Sequence, residues 1–177
     1  MIYMSNEDTE KHYAIGSRHF DSATSEEKQE ALRQIIELHD AEITRQVLAL
    51  GMNTQEEDLV RIEAWRALGM AGTSPLLNEI FEAAAQLVRN PEEDEDVQIY
   101  ALQALSLLPV TEAEIQLALD VIQSDAYILV QSAAFAIVKA NKHLPHAVLA
   151  LESLQTHPEF GTSAVRELQS LQGRDTQ

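Results

Sequence analysis

The sequence predicts an all-α protein in which about four helix pairs stack into an α-solenoid, a right-handed superhelix with one flanking helix at each end. The first observation is composition: Ala, Leu, Gln and Glu dominate the 177 residues, and all of them favour helices. The second is punctuation: the six Gly and five Pro residues fall between periodic segments, as turns between helices require. The third is a repeated nonapeptide, which indicates stacked structural units.

The repeat is defined by VRIEAWRAL (60–68), and VQIYALQAL (97–105) has the same Val, Ile, Ala, Ala and Leu 37 residues later. The weakest copy, EKQEALRQI (27–35), keeps Ala31 and a basic residue, Lys28. Ala residues three apart share a helix face, where small side chains let a partner helix approach closely. A helix pair cannot bury both of its apolar faces alone, so such pairs are expected to stack.

A fourth copy, LVQSAAFAI (129–137), follows the third after 32 residues. Its Ala133, Ala136 and Ile137 align with the Ala, Ala and Leu of the repeat. In this alignment the Arg position is occupied in turn by Arg61, Gln98 and Val130, and the Trp position by Trp65, Leu102 and Ala134.

Each copy is expected to open a helix pair. The predicted helices are 6–19, 25–38, 41–52, 57–70, 75–89, 94–107, 112–123, 126–140, 145–156 and 162–172. Capping boxes support three of the starts, because Thr24, Thr54 and Thr111 are each followed by Glu three residues later. Ser74 and Asn90 precede Pro, which favours the first helical position. Residues 1–177 are expected to form one domain, capped by residues 1–20 and 158–177, with flexible extreme termini.

Two repeat families share features with residues 60–69. W-x-x-L-G opens a tetratricopeptide repeat, but the later Tyr and Pro positions of that motif are Gly72 and Glu93. The V-R-x-x-A-x-x-A-L-G pattern extends over three copies, so residues 25–156 resemble compact bacterial HEAT-like repeats. The resemblance implies polar contacts between neighbouring repeats at Arg61 and a core position for Trp65. It implies no single activity, since HEAT-like folds host scaffolds, adaptors, lyases and a glycosylase.

The charge balance restricts the class of partner. The chain carries 12 basic and 29 acidic residues, a net charge of −17. Nucleic-acid binding needs basic residues to neutralise phosphates, and anionic membranes need them too, so we expect neither partner. A basic protein is favoured instead. The lack of Cys and of a signal-peptide pattern predicts a cytoplasmic protein.

Acidic runs recur at the same point of successive repeats and predict an acidic edge. SEE (25–27), QEED (55–58) and PEEDED (91–96) would align on stacking. Acidic residues stabilise helix N-termini, so a solvated edge is one interpretation and attraction of a basic partner is the other. The predicted edge consists of Glu56, Glu57, Asp58, Glu92, Glu93, Asp94, Glu95 and Asp96, continued by Glu26 and Glu27.

The outward faces of the second helices form the other predicted partner surface. Solenoids bind partners on an extended concave surface lined by one helix layer. Helical periodicity buries the apolar residues of these helices and leaves polar ones outward, which is also the pattern of an ordinary solvated face. The predicted partner-binding residues are Glu42, Arg45, Asn78, Glu79, Glu82, Gln86, Gln116, Asp120 and Gln123.

The sequence contains no catalytic or metal-binding signature. The two His pairs with helical or near-helical spacing, His12 with His19 and His143 with His146, lack the third ligand that a metal site needs. We therefore predict no catalytic residue, no metal and no cofactor.

Two classes of function follow from these observations. The first is a non-enzymatic protein-binding module, either a scaffold or adaptor or an inhibitor, with neutralisation of a basic toxin by an immunity protein as a specific version. The alternative is a HEAT-like lyase or chromophore-handling enzyme, such as a bilin lyase, which shares the repeat type.

Overall fold

The structure is a computed structural model that describes residues 20–172. Within this range the chain forms nine α-helices and no strand, so the all-α prediction is confirmed. The helix expected over 6–19 lies outside the described residues. The helices are α1 Ser25–Arg33, α2 Ala41–Met52, α3 Asp58–Leu68, α4 Leu77–Val88, α5 Glu95–Leu107, α6 Glu112–Ile122, α7 Ile128–Ala140, α8 Pro145–Ser153 and α9 Gly161–Gln172.

The helices pack in two rows. The first-helix row consists of α1, α3, α5 and α7, each packed against the next, and the second-helix row consists of α2, α4, α6 and α8. The closest contacts between rows join each second helix to the following first helix: α2 to α3, α4 to α5 and α6 to α7. Neighbours pack much more closely in the first-helix row than in the second-helix row.

The main error in the predicted boundaries concerns the first helix, which ends at Arg33 and not at residue 38. Ile35 N closes the last turn on Leu32 O at 3.2 Å, after which the chain leaves the helical path. This departure lets Leu38 become buried, and its N–H donates to Met70 O at 3.3 Å. The tertiary contact therefore overrides the local helical pattern.

The predicted caps have mixed outcomes. The Thr24 capping box forms, and the Glu114 carboxylate accepts from the Thr111 N–H at 2.7 Å. The Thr54 box is wrong, because α3 begins at Asp58 with Glu57 as its N-cap. Ser74 and Asn90 do not start helices either. Their side chains accept from backbone N–H groups two residues later, within turns that precede α4 and α5.

The structure shifts the fourth copy of the repeat by one residue. Arg61, Gln98 and Gln131 are each the fourth residue of their helices, so Gln131 and not Val130 occupies the Arg position. The predicted equivalences of Ala133, Ala136 and Ile137 are wrong for the same reason. The Ala-rich segment permits both alignments, and burial of the large Phe135 side chain selects the observed one. The corrected equivalents are Val60, Val97 and Val130; Ala64, Ala101 and Ala134; Trp65, Leu102 and Phe135; and Leu68, Leu105 and Val138, all buried.

Trp65 is a core residue, as its repeat position implies. Its side chain is 0% exposed, and its indole N–H donates to Gly51 O at 3.3 Å. A Cβ placed on Gly51 would lie only 3.1 Å from Trp65 Nε1, so α2 and α3 pack tightly around this ring. The absence of a side chain at Gly51 therefore provides the space for the indole.

We predict that Trp65→Ala lowers the free energy of unfolding by about 3–5 kcal/mol, because truncation of a buried aromatic leaves a cavity. Urea denaturation followed by circular dichroism measures the change. Trp65→Phe serves as the matched control and should cost less, since Phe135 fills the same position in another repeat. An unchanged midpoint for Trp65→Ala would contradict the core assignment.

Candidate site at the acidic edge

The Arg position of the repeat connects neighbouring repeats, as the HEAT-like resemblance implies. Arg61 donates to both carboxylate oxygens of Glu93, with Nη1–Oε1 and Nη2–Oε2 distances of 2.7 Å. Its Nε also donates to Gly51 O at 3.2 Å. The two charged side chains are only 4% and 7% exposed. Arg61 therefore joins the end of α2 to the loop before α5.

These contacts fix the charge state of the pair. The hydrogen bonds from Arg61 hold the pKa of the Glu93 carboxyl below its usual range, against the opposing effect of burial. The same hydrogen bonds raise the pKa of Arg61. Both groups therefore remain ionised near neutral pH, and Glu93 contributes no free negative charge to the edge.

An equivalent ion pair exists one repeat earlier and is absent one repeat later. Lys28, the fourth residue of α1, donates to Glu56 Oε1 at 2.7 Å. At the next step neutral Gln98 takes the basic position, and Ala126 stands where Glu56 and Glu93 stand in the preceding loops. A basic residue at the fourth position of a first helix thus occurs together with Glu in the next such loop, and Gln at that position occurs together with Ala.

Gln98 and Gln131, the neutral residues at this position, keep only the hydrogen bonds to the chain that precedes their own helix. Gln98 Nε2 donates to Val88 O at 3.3 Å and to Asn90 O at 3.0 Å. Gln131 Nε2 donates to Ser124 O at 2.7 Å. In α5 and α7 the Gln side chain therefore holds the loop before its own helix but forms no ion pair.

The remaining members of the predicted acidic edge divide by role. Asp94 is the N-cap of α5, and its carboxylate accepts from the N–H groups of Asp96 and Val97. Asp58 Oδ1 lies 3.9 Å from Arg61 Nη1, at the limit of an ion pair. Six other edge residues have exposed carboxylates with no ion pair among the described residues: Glu26, Glu27, Glu57, Glu92, Glu95 and Asp96.

An acidic groove lies between the α4–α5 and α6–α7 loops and has a volume of about 470 Å³. It brings together Glu95 of the predicted edge and Asp120 of the predicted second-helix face. Asp125 and Tyr127 complete it, and sequence patterns had not singled out either. Leu117 and Val130 supply apolar lining, and Arg89 is the only basic residue among those that line it.

The carboxylates of this groove differ from those of a second groove near α1 and α2. The second groove, of about 550 Å³, contains Glu42 and Glu56. The carboxylates of Glu42 and Glu56 are paired with Arg45 and Lys28, respectively. Asp21 also lines this groove and has no ion pair among the described residues. In the acidic groove Asp120 accepts only from Gln116, at 2.8 Å. The acidic groove thus combines three carboxylates that have no ion pair among the described residues, those of Glu95, Asp120 and Asp125.

All nine predicted residues of the second-helix faces are exposed. Glu42 and Arg45 pair with each other at 2.7 Å, and Asp120 alone reaches the acidic groove. The others are distributed along α2, α4 and α6 without converging. Their role in partner binding stays a prediction.

Two findings concern alternative kinds of site within residues 20–172. No cluster of three or more His, Asp or Glu side chains with metal-binding geometry occurs there. The same part of the chain contains no helix with the length and apolar character needed to cross a bilayer.

We predict that Arg61→Met destabilises the fold by about 3–5 kcal/mol, because it leaves the buried Glu93 carboxylate without its partner. Chemical denaturation with urea provides the measurement. The double variant Arg61→Met/Glu93→Leu should recover most of the loss, because it removes the stranded charge as well. Equal destabilisation by the single and double variants would show that Arg61 acts through another contact.

The same pair predicts a pH dependence. The pKa of Glu93 is lower in the folded than in the unfolded state, so its stabilising contribution is complete above the ordinary Glu pKa of about 4.3. It decreases as the pH falls through the lowered folded value. Unfolding free energies measured from neutral to acid pH should therefore converge for the wild type and Glu93→Gln. Parallel curves would contradict the prediction.

The chain was compared with models of protein families, with curated proteins and with solved structures, and none of them matched it.

Proposed function

We propose that the chain is a non-enzymatic protein-binding module, built as a HEAT-like α-solenoid, whose acidic groove receives basic side chains of a protein partner. Scaffold, adaptor and inhibitor are the forms that such a module takes. Neutralisation of a basic toxin in the cytoplasm is the version that charge and size favour. A right-handed superhelix belongs to the same proposal.

The packing of the two rows supports a curved stack. Helices on the inside of a bend lie closer together than those on the outside, and curvature is what gives solenoids their extended binding surfaces. The first-helix row is the closely packed one, which favours it as the concave side. The sequence-based assignment of the concave surface to the second helices runs against this packing.

The observation that carries the proposal is the set of carboxylates around Tyr127. Glu95, Asp120 and Asp125 line one groove with no ion pair among the described residues. Tyr127 is 48% exposed and lines the same groove. A Lys or Arg side chain in the groove would donate charge-assisted hydrogen bonds to carboxylates and stack on an aromatic ring. The apolar lining suits the aliphatic stem of such a side chain.

We predict that a flexible peptide of Lys, Arg and Ser perturbs the NMR resonances of this groove on titration. The triple variant Glu95→Gln/Asp120→Asn/Asp125→Asn should weaken binding by roughly tenfold or more, since each exposed ion pair contributes up to about 1 kcal/mol. Binding should also decrease as salt is added.

The matched control removes three exposed carboxylates that lie outside both predicted partner surfaces, in Glu30→Gln/Glu152→Gln/Glu159→Gln. It should bind the peptide nearly as well as the wild type does. Equal weakening by both triple variants would reduce the interaction to net charge and refute a site at the groove. Binding of a free bilin with no response to the peptide would favour the chromophore-handling alternative.

A further inference from the structure

Exposed apolar side chains are concentrated on one row of helices. Of the large hydrophobic residues exposed among residues 20–172, only Leu149 belongs to the second-helix row. The others lie on first helices or in the turns and caps at their ends. They are Ile36, Leu59, Met70, Leu107, Tyr127, Ile128 and Leu129.

Helical spacing places three of these residues, Leu59, Leu107 and Leu129, on the outward face of the row. Leu59 and Ile62 of α3 are three residues apart and share a face; Leu59 is exposed, and Ile62 is half-buried and packs against the edge of the core. On α5 the half-buried Ile99 and Tyr100 and the exposed Leu107 occupy the corresponding face. On α7 the exposed Leu129 occupies the position of Leu59. We call this surface the apolar band, defined by Leu59, Ile62, Ile99, Tyr100, Leu107 and Leu129.

The band continues from one helix to the next. A Cβ placed on Gly69, at the end of α3, would lie 3.1 Å from Leu107 Cδ1 of α5 and 3.4 Å from Ala104 Cα. Such close approach shows that Leu107 covers the end of the neighbouring helix. Along the rest of their length α5 packs on both α3 and α7, so the outward faces of the three helices lie side by side. Exposed apolar side chains grouped on neighbouring helices mark an interaction site.

Charge indicates what the band can accept. Asp58, Glu95 and Asp96 border it at the N-terminal ends of α3 and α5, and each is exposed. A second copy of this chain would carry the same net charge of −17, which disfavours self-association. A partner with apolar side chains flanked by Lys and Arg matches both the band and its border.

The dimensions fit a short helix. At the usual spacing of 8–10 Å between packed helices, the band crosses about 16–20 Å from α3 to α7. This is the length of roughly 12 helical residues at 1.5 Å per residue. An amphipathic helix of that length presents apolar residues at intervals of three and four, the pattern used in helix-in-groove recognition.

We propose that the apolar band binds a basic amphipathic helix of the partner protein, whose Lys and Arg side chains contact the acidic border. The proposal rests on the function proposed above and adds the face and the kind of segment recognised. In this proposal the first-helix row makes the apolar contacts with the partner, and the acidic groove makes charged contacts with it.

Three synthetic peptides of equal length test it: an amphipathic Lys/Leu helix, a Lys/Ser analogue without apolar residues, and a Gln/Leu analogue without charge. Binding to the full chain is measured by fluorescence anisotropy. The Lys/Leu peptide should bind at least tenfold more tightly than either analogue. Leu59→Ser and Leu129→Ser, each alone, should weaken its binding by roughly tenfold, because each Leu would lose the contacts it makes in the complex.

Leu149→Ser is the matched control, because Leu149 is 59% exposed and Leu59 and Leu129 are 57% and 51% exposed. It should change the affinity less than twofold. Since all three positions are exposed, urea midpoints should stay unchanged and show that each variant folds.

The outcomes separate the two proposals. Equal effects of the three Leu variants, or equal binding of the Lys/Leu and Lys/Ser peptides, would overturn the band while leaving the acidic groove intact. Failure of every Lys peptide to bind would overturn both proposals. Concentration-dependent dimerisation in sedimentation velocity that Leu59→Ser abolishes would assign the band to a second copy of this chain, and so would also overturn the proposal.

Discussion

Close packing of the first-helix row is the constraint on which the other features depend. Ala64, Ala101 and Ala134 are fully buried at the same repeat position, where a larger side chain would separate neighbouring helices. Because these helices lie close together, Lys28 and Arg61 reach Glu56 and Glu93 of the next repeat. Arg61, Gln98 and Gln131 also bind backbone carbonyls at the end of the preceding second helix or in the loop after it. The same proximity brings the outward stripes of α3, α5 and α7 side by side.

The ion pairs show how one repeat position performs different tasks along the chain. Lys28 and Arg61 consume the charge of Glu56 and Glu93, so the most acidic stretches of sequence are partly neutralised by folding. Gln98 and Ala126 line the acidic groove without a charge, and Glu95, Asp120 and Asp125 around them have no ion pair there. The distribution of available negative charge thus follows from which repeats keep a basic residue, and acidic sequence runs alone do not locate it.

Local patterns were sufficient to predict most of the helices, because helical periodicity of apolar residues is a clear signal, whereas the caps predicted at Thr54, Ser74 and Asn90 were wrong. They also placed Trp65 in the core. They failed where tertiary contacts decide: Leu38 enters the core and ends α1 early, and Phe135 fixes the alignment of an Ala-rich segment that permits two. The neutralisation of Glu56 and Glu93 was not predictable, because their partners lie about 30 residues away in sequence. Asp125 and Tyr127 belong to no motif, and only the neighbouring α4–α5 loop makes them part of a groove.

The second residue of each first helix indicates where a side chain serves binding more than folding. Glu26, Leu59, Asp96 and Leu129 occupy it in successive repeats. An acidic residue is favourable there because of the helix dipole, and the exposed site offers a large apolar side chain little burial. Leu59 and Leu129 therefore stabilise the isolated chain less than Glu or Asp would at the same position. Departures from a local rule without a structural gain are expected at functional sites. Their position on the outward face of the closely packed row is the physical reason to assign them to binding.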